Sequence, residues 1–257
     1  HLELRDSMWD SLTNLGVGPA MGVTAENVAA RYGITREAMD RYALQSQQRA
    51  ATAINANRFR EEIVPVTVKT RNGEQQIDTD EYPRQTSLEQ LAALKATFQE
   101  NGSVTAGNAS GMNDAASGVI VMSEEKAQQL GCPTLCRIVS VGTTGVDPAL
   151  MGIGPISASR KALVKAGLTM EEVDLVEINE AFAAQTLACA QELGIDQNKL
   201  NVNGGGISLG HPVGATGSRI VITLMNELAK RHGRYGLATL CAGGGMGTAV
   251  VIENLVP

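Results

Sequence analysis

Aromatic side chains are scarce in this chain of 257 residues, which holds three Phe, four Tyr and one Trp, 3% of the whole. A core of the size such a length allows must then be built from Ala, Val, Leu, Ile and Met, small side chains that let helices and sheets pack closely. Few aromatics also means few stacking platforms for nucleic acid. An excess of 27 acidic over 21 basic residues, net charge −6, supplies no phosphate-binding surface either. No apolar run reaches the roughly 18 residues that suggest a membrane span, and no secretory signal pattern opens the chain. The expected location is therefore the cytoplasm or a similarly reducing space. Cysteine is limited to Cys132, Cys136, Cys189 and Cys241, with neither zinc-ribbon nor Cys-x-x-Cys spacing, so free thiols and no metal are expected. Methionine is missing from the first position, which is His1, and the chain reads as a piece of something longer.

What is present changes character along the chain. Thr24 to Tyr32 has a helical pattern stopped by Gly33, and Thr35 caps a second helix reaching about Arg58. Glu62 to Lys69 reads as a strand, and Arg71-Asn72-Gly73 as a hairpin turn into a returning strand. Ser87 with Gln90 makes a capping box for a helix to about Phe98. The small-residue run TAGNASGMNDAASG follows as a loop suited to lining a ligand, then a strand from Val119 to Met122 and a helix from about Ser123 to Leu130.

From Arg137 an α/β rhythm sets in: Ile138–Val141, Ile156–Ala166, Leu175–Ile178, Ala181–Leu193, Leu200–Val202 and Ser218–Arg231. Gly236–Cys241 and Thr248–Glu253 close it as a hairpin. A domain boundary is expected near Pro133.

Three segments carry candidate chemistry, and all are expected where loops leave the strands of an α/β sheet, the usual place for its ligands. Asn179-Glu180-Ala181-Phe182 offers an amide, Gly210-His211-Pro212 an imidazole, and Cys241-Ala242-Gly243-Gly244-Gly245 a thiol. Each has a plainer alternative: Asn179 as a helix N-cap, His211 as a turn residue, Cys241 as an inert buried thiol. Together they resemble a thiol-based active site in which contact with the imidazole yields thiolate and imidazolium at neutral pH. Such a thiolate attacks a thioester or removes a weakly acidic proton, and the Gly243 N–H can face the oxyanion that develops. The glycines satisfy neither the dinucleotide fingerprint nor the Walker A pattern. Cys189 falls within a helix and reads as core.

With these residues in hand, the chain resembles the thiolase family, the acetyl-CoA acetyltransferases and 3-ketoacyl-CoA thiolases. The resemblance rests on six segments in order: MGVTAENVA (Met21–Ala29), VTAGNASGMND (Val104–Asp114), MGIGPISASRKAL (Met151–Leu163), NEAFAAQ (Asn179–Gln185), NVNGGGISLGHPVGATGSR (Asn201–Arg219) and CAGGGMG (Cys241–Gly247). It implies a layered α/β fold of two similar halves with an inserted helical loop domain over coenzyme A. By that map residues 1–112 form the loop domain, 113–133 the remnant of a first half that is largely missing, and 134–257 a complete second half.

The resemblance also implies roles. His211 activates a nucleophilic cysteine and helps hold the thioester oxygen, Asn179 holds a water in that oxyanion site, Cys241 is the acid/base, and the Gly243 N–H stabilises the enolate. Ala106, Ser110, Met112, Met21, Ala181, Phe182 and Arg84 are the positions that match coenzyme A contacts.

The implied reaction is reversible condensation and thiolysis of acyl-CoA thioesters, most simply as an acetyl-CoA acetyltransferase of fatty acid metabolism. No cofactor is permanently bound, the coenzyme A thioesters are substrates, and the enzyme is a homo-oligomer, dimer or tetramer, without nucleic acid or membrane partners. Ala20 stands where many relatives place a histidine, which leaves the acyl length open. The family's nucleophilic cysteine belongs to a segment this sequence does not contain, so the chain by itself is expected to be inactive and to need that missing N-terminal segment as its partner. The alternatives are a non-catalytic acyl-CoA-binding or structural subunit and, more distantly, a ketoacyl synthase relative.

Overall fold

The computed structural model describes residues 4–13, 16–71 and 73–256. The first elements are helical: α1 (Ser7–Thr13), α2 (Met21–Tyr32) and α3 (Arg36–Asn55). Gly33 ends α2 in the left-handed conformation at φ 65°, and the Thr35 hydroxyl accepts the Ala38 N–H at the start of α3, as the sequence pattern predicts. Strands β1 (Val66–Thr70) and β2 (Gly73–Ile77) pair antiparallel, β1 starting only after Pro65; of the expected turn, Asn72 lies outside the described residues.

Helix α4 (Leu88–Ala92) opens with the expected capping box of Ser87 and Gln90 but stops well short of Phe98. The cause is Arg36. Its guanidinium donates to the carbonyls of Leu91 and Leu94 at 2.6 and 3.0 Å, acceptors that a continuing helix would have used for its own N–H groups.

Residues 119–122 form no strand. Val119, Ile120 and Val121 are exposed, Ile120 at 88%, and the chain runs past both described sheets without pairing; β propensity alone makes no strand where no partner lies alongside. Helix α5 (Glu124–Leu130) follows, capped by Ser123.

The remainder is an α/β/α sandwich. Its elements are β3 (Cys136–Gly145), a 3₁₀ turn over Pro148–Ile153, α6 (Gly154–Ala166), β4 (Leu175–Ile178), α7 (Ala183–Leu193), α8 (Gly206–Leu209), α9 (Thr216–Arg231), β5 (Tyr235–Ala242) and β6 (Met246–Asn254). The sheet order is β3-β6-β5-β4, with only β4 and β5 parallel. Alternation sends Val176, Ile178, Leu237, Ala249 and Val251 toward α6 and α7, while Leu175, Ala238 and Ile252 meet Ile220, Leu224 and Leu228 of α9. These three α9 side chains are at most 1% exposed, and burial of each contributes about 1.5–3 kcal/mol.

The expected strand Leu200–Val202 is reduced to single bridges, Leu200 to Val176 and Val202 to Gly204. Asn201, at φ 44°, presents its side-chain amide to β4 instead: Oδ1 accepts the Ile178 N–H at 2.8 Å and Nδ2 donates to the Ile178 carbonyl at 2.9 Å. A side chain thus takes the place of a neighbouring strand's backbone. No described helix is long and apolar enough to cross a membrane, and among the described residues no cluster of three or more His, Cys, Asp or Glu could hold a metal ion.

Candidate active site

β4 and β5 run parallel, and β5 continues three residues past the end of β4. Ile178 pairs with Thr239, and the Asn179 N–H donates to the Thr239 carbonyl at 3.0 Å, so Asn179 leaves the sheet beside the end of β5 that carries Cys241. Asn179 is fully buried and is not a helix cap, since α7 begins only at Ala183.

His211 arrives differently from expectation. Its loop leaves no strand of the sheet but joins α8 to α9, and a parallel bridge to Met112 with the bond from His211 N–H to the Gly111 carbonyl, 3.2 Å, fixes it against the small-residue loop. The backbone there needs glycine. Gly210 has φ 95°, and a Cβ on it would stand 2.5 Å from the Asn113 Oδ1 that accepts the His211 N–H at 3.1 Å.

Amide and imidazole meet: Asn179 Nδ2 and His211 Nε2 are 3.3 Å apart. The other ring nitrogen, Nδ1, lies 2.7 Å from Thr216 Oγ1 at the first turn of α9. Burial disfavours the imidazolium, and the positive Arg219 disfavours it further, lowering the His211 pKa to about 4.

Cys241 is 7% exposed, in an apolar cluster with Met21, Ala25, Val104, Ala109, Met151, Ala181 and Phe182. Burial pushes its thiol up to about 12, only slightly offset by a backbone hydrogen bond. The expectation of a thiolate–imidazolium pair is therefore corrected. At neutral pH the site holds a neutral thiol and a neutral imidazole, because burial penalises both charged forms and no hydrogen bond joins the two groups. Past Cys241 the turn Gly243-Gly244-Gly245 projects between β5 and β6, with Gly244 and Gly245 at φ 85° and 88°.

Of the positions expected to contact coenzyme A, three lie in the apolar cluster with Cys241, and Ser110 is bonded to one of them. Met21, Ala181 and Phe182 share the Cys241 cluster, and Phe98 stands edge-on to Phe182 at 6.1 Å. Ser110 donates both its N–H and its hydroxyl to the Ala181 carbonyl at 3.0 and 3.1 Å. Met112, beside His211, is 58% exposed, and Ala106 is exposed in the turn before it. Arg84 is exposed too, and its guanidinium donates to the Tyr82 hydroxyl at 2.7 Å; that hydroxyl lies where a side chain on Gly111 would clash. The other cysteines stand apart from these roles: Cys132 is exposed, Cys136 half-buried, and Cys189 is fully buried with its thiol toward the Gly152 carbonyl.

Sequence reasoning missed several groups. Glu180 is 1% exposed and accepts from Tyr42 Oη, Ser46 Oγ, Asn201 Nδ2 and the Ile207 N–H at 2.7–3.1 Å. Asn113 and Thr216, which fix His211 from either side, were within segments already singled out, but nothing in their spacing marked them.

This sequence and architecture have counterparts among known proteins. The chain matches the family models described as "Thiolase, N-terminal domain" over residues 2–125 and "Thiolase, C-terminal domain" over 132–254. It is 54% identical over 256 residues to an acetyl-CoA acetyltransferase of Syntrophomonas wolfei, covering 98% of this chain and 65% of that protein. The chain belongs to the thiolase family. A mitochondrial 3-ketoacyl-CoA thiolase of Bos taurus is 50% identical over 254 residues, with 98% of this chain and 64% of that one covered.

Among solved thiolases, the Bacillus anthracis acetyl-CoA acetyltransferase superposes with a TM-score of 0.96 at 50% identity, covering 99% of this chain and 65% of its own. Human mitochondrial 3-ketoacyl-CoA thiolase in complex with CoA gives 0.91 at 46% identity, covering 98% and 63%. The thiolase chain described here thus spans 63–65% of the length of these relatives.

Proposed function

We propose that this chain forms the carbon-acid and oxyanion side of an acetyl-CoA C-acyltransferase, which joins and splits acyl-CoA thioesters through an acyl-enzyme. The observation that carries the reading is the contact of Asn179 Nδ2 with His211 Nε2 beside the β5 end that presents Cys241.

In condensation the Cys241 thiolate takes the α-proton of an acyl-CoA, and the resulting enolate attacks the acyl group held as a thioester on a separate cysteine, breaking the acyl C–S bond and releasing that cysteine's thiolate. Cleavage runs the same steps backwards, with the Cys241 S–H protonating the departing carbanion. A buried thiol is a weak acid in the resting site, so Cys241 becomes a base only after giving its proton to the coenzyme A thiolate expelled as the acyl-enzyme forms; the resulting thiolate takes the α-proton, and the Gly243 N–H meets the enolate oxygen. A neutral His211 suits its part: it can accept the proton of the acyl-accepting thiol and then donate it toward the thioester oxygen. None of the chain's own remaining cysteines suits that thiol's place, so we assign exchange to the protein in which the nucleophile-bearing segment accompanies this chain.

Met21, Ala181 and Phe182 offer an apolar wall for the pantetheine arm, with Ala106, Ser110 and Met112 along its rim and Arg84 reaching a phosphate. In this reading residues 1–112 cover the ligand, and the acyl-CoA is the small-molecule partner of a homo-oligomeric enzyme.

The test follows the methyl protons of acetyl-CoA in deuterated water, using a protein that includes the nucleophile-bearing segment. Cys241→Ala should abolish their exchange while coenzyme A binding persists. Exchange at the unmodified rate would remove Cys241 from this role, and loss of binding without Met112 or Phe182 being touched would point to a structural part instead.

A further inference from the structure

The geometry points to Thr216 as a positioning residue that sets which nitrogen of His211 carries the proton. This rests on the reading of His211 as a proton acceptor, and it extends that reading to a residue outside the expected set.

The argument is one of donors and acceptors. Thr216 is fully buried, and its hydroxyl has one proton to give. It lies 2.9 Å from the Pro212 carbonyl, four residues back, the usual target of a threonine hydroxyl in the first turns of a helix. With its proton spent there, Oγ1 can only accept from His211 Nδ1 at 2.7 Å, so Nδ1 carries the hydrogen. Nε2 is then a free lone pair. On the far side the Asn179 amide faces Nε2 with Nδ2 at 3.3 Å, the orientation in which it donates to that lone pair.

All the hydrogens along the line therefore point one way, from the Asn179 amide to the imidazole, from the imidazole to Thr216, and from Thr216 to the Pro212 carbonyl. The opposite ring tautomer would put an N–H at Nε2, which the Asn179 amide could meet only by turning its oxygen to the ring. It would also leave the Thr216 proton pulled from Pro212 toward Nδ1. His211 is held at its backbone as well, by Gly111 and Asn113, so the ring has little freedom to escape a wrong tautomer by moving away.

The experiment uses the chain as it stands. It holds only three histidines, His1, His211 and His232, so long-range proton–nitrogen spectra of a ring-labelled sample at pH 7 resolve each imidazole, with His211→Gln giving the assignment. The expected result is a neutral His211 ring protonated at Nδ1, retained in Thr216→Ser and shifted toward Nε2 protonation in Thr216→Val.

An Nε2-protonated ring in the unmodified chain would overturn the proposal, as would a folded Thr216→Val that keeps the Nδ1 form. Should the valine variant fail to fold, the unmodified chain and the serine variant still decide. In the protein that includes the nucleophile-bearing segment, Thr216→Val should lower kcat by about 10- to 100-fold at little change in KM, with serine restoring most of it. An Nδ1-protonated ring whose loss leaves turnover untouched would sink the catalytic reading of His211 while leaving the tautomer assignment intact.

Discussion

Ser46 Oγ and Glu180 Oε2 lie 2.7 Å apart, both buried, and their hydrogen bond joins helix α3 to the segment that leaves β4. Tyr42, Asn201 and the Ile207 N–H complete the shell around the same carboxylate. Removing the acid takes a strong acceptor from four buried donors, of which Tyr42 Oη and the Ile207 N–H keep no other acceptor, so Glu180→Ala should cost about 3–5 kcal/mol in urea unfolding. A loss under about 1 kcal/mol would show that water replaces the carboxylate.

Glu177 on β4 faces α9, where its Oε2 is 3.8 Å from the Arg219 guanidinium without a hydrogen bond. Burial lifts its pKa from 4.5 to about 8 against the pull of Arg219, helped by the charges of Glu180, Glu62 and Glu227. Glu62, also mainly through burial, rises to about 7. Acids with raised native pKa values hold protons that the unfolded chain has released. Their contribution is thus complete below pH 4.5 and is lost as pH climbs through 7 and 8. Melting temperature should fall between pH 5.5 and 8.5, and Glu177→Gln should remove part of that slope, on the order of 5 °C. A parallel pH dependence in the variant would mean that Glu177 ionises normally.

The thiols should separate cleanly by alkylation. With Cys132 exposed, and Cys241 buried with its thiol pushed up to about 12, iodoacetamide at pH 8 should modify Cys132 on the order of 1000-fold faster. Peptide masses taken over time give both rates. Equal rates would contradict a buried, protonated Cys241.

Gly247 pairs with Cys241 across the β5–β6 ladder and packs directly on the start of α6: a Cβ there would sit 2.2 Å from the Gly154 carbonyl atoms. Because the obstacle is backbone, it cannot rotate aside. Gly247→Ala should destabilise by about 1–3 kcal/mol, measured by urea unfolding. A variant within about 0.5 kcal/mol of the parent would show that the α6 start yields.

Local features were the readable ones. Gly33, Thr35 and Ser87 fix helix ends through their own backbone or side-chain chemistry, and the glycine turn after Cys241 joins two strands whose patterns were visible. Asn179, His211 and Cys241 were legible as a set because a polar amide, an imidazole and a thiol are seldom gathered for packing alone, although the His211 loop joins two helices and not a strand. What escaped was decided by distant groups. The extent of α4 depends on Arg36, the edge of β4 depends on the Asn201 amide, and the charge state of Cys241 depends on how deeply other elements bury it. Residues 119–122 show the converse, a strand-like sequence with no partner strand alongside.

The parallel pairing of β4 and β5 has one more consequence. Asn179 and Cys241 keep their spacing from a backbone ladder, whereas Met112 and Ala106 ride on an irregular stretch that only a few bonds tie to it. In the proposed site, evolution or a protein engineer could thus reshape the loop around Met112 and Ala106 to suit a longer or bulkier guest while Asn179 and Cys241 stay put.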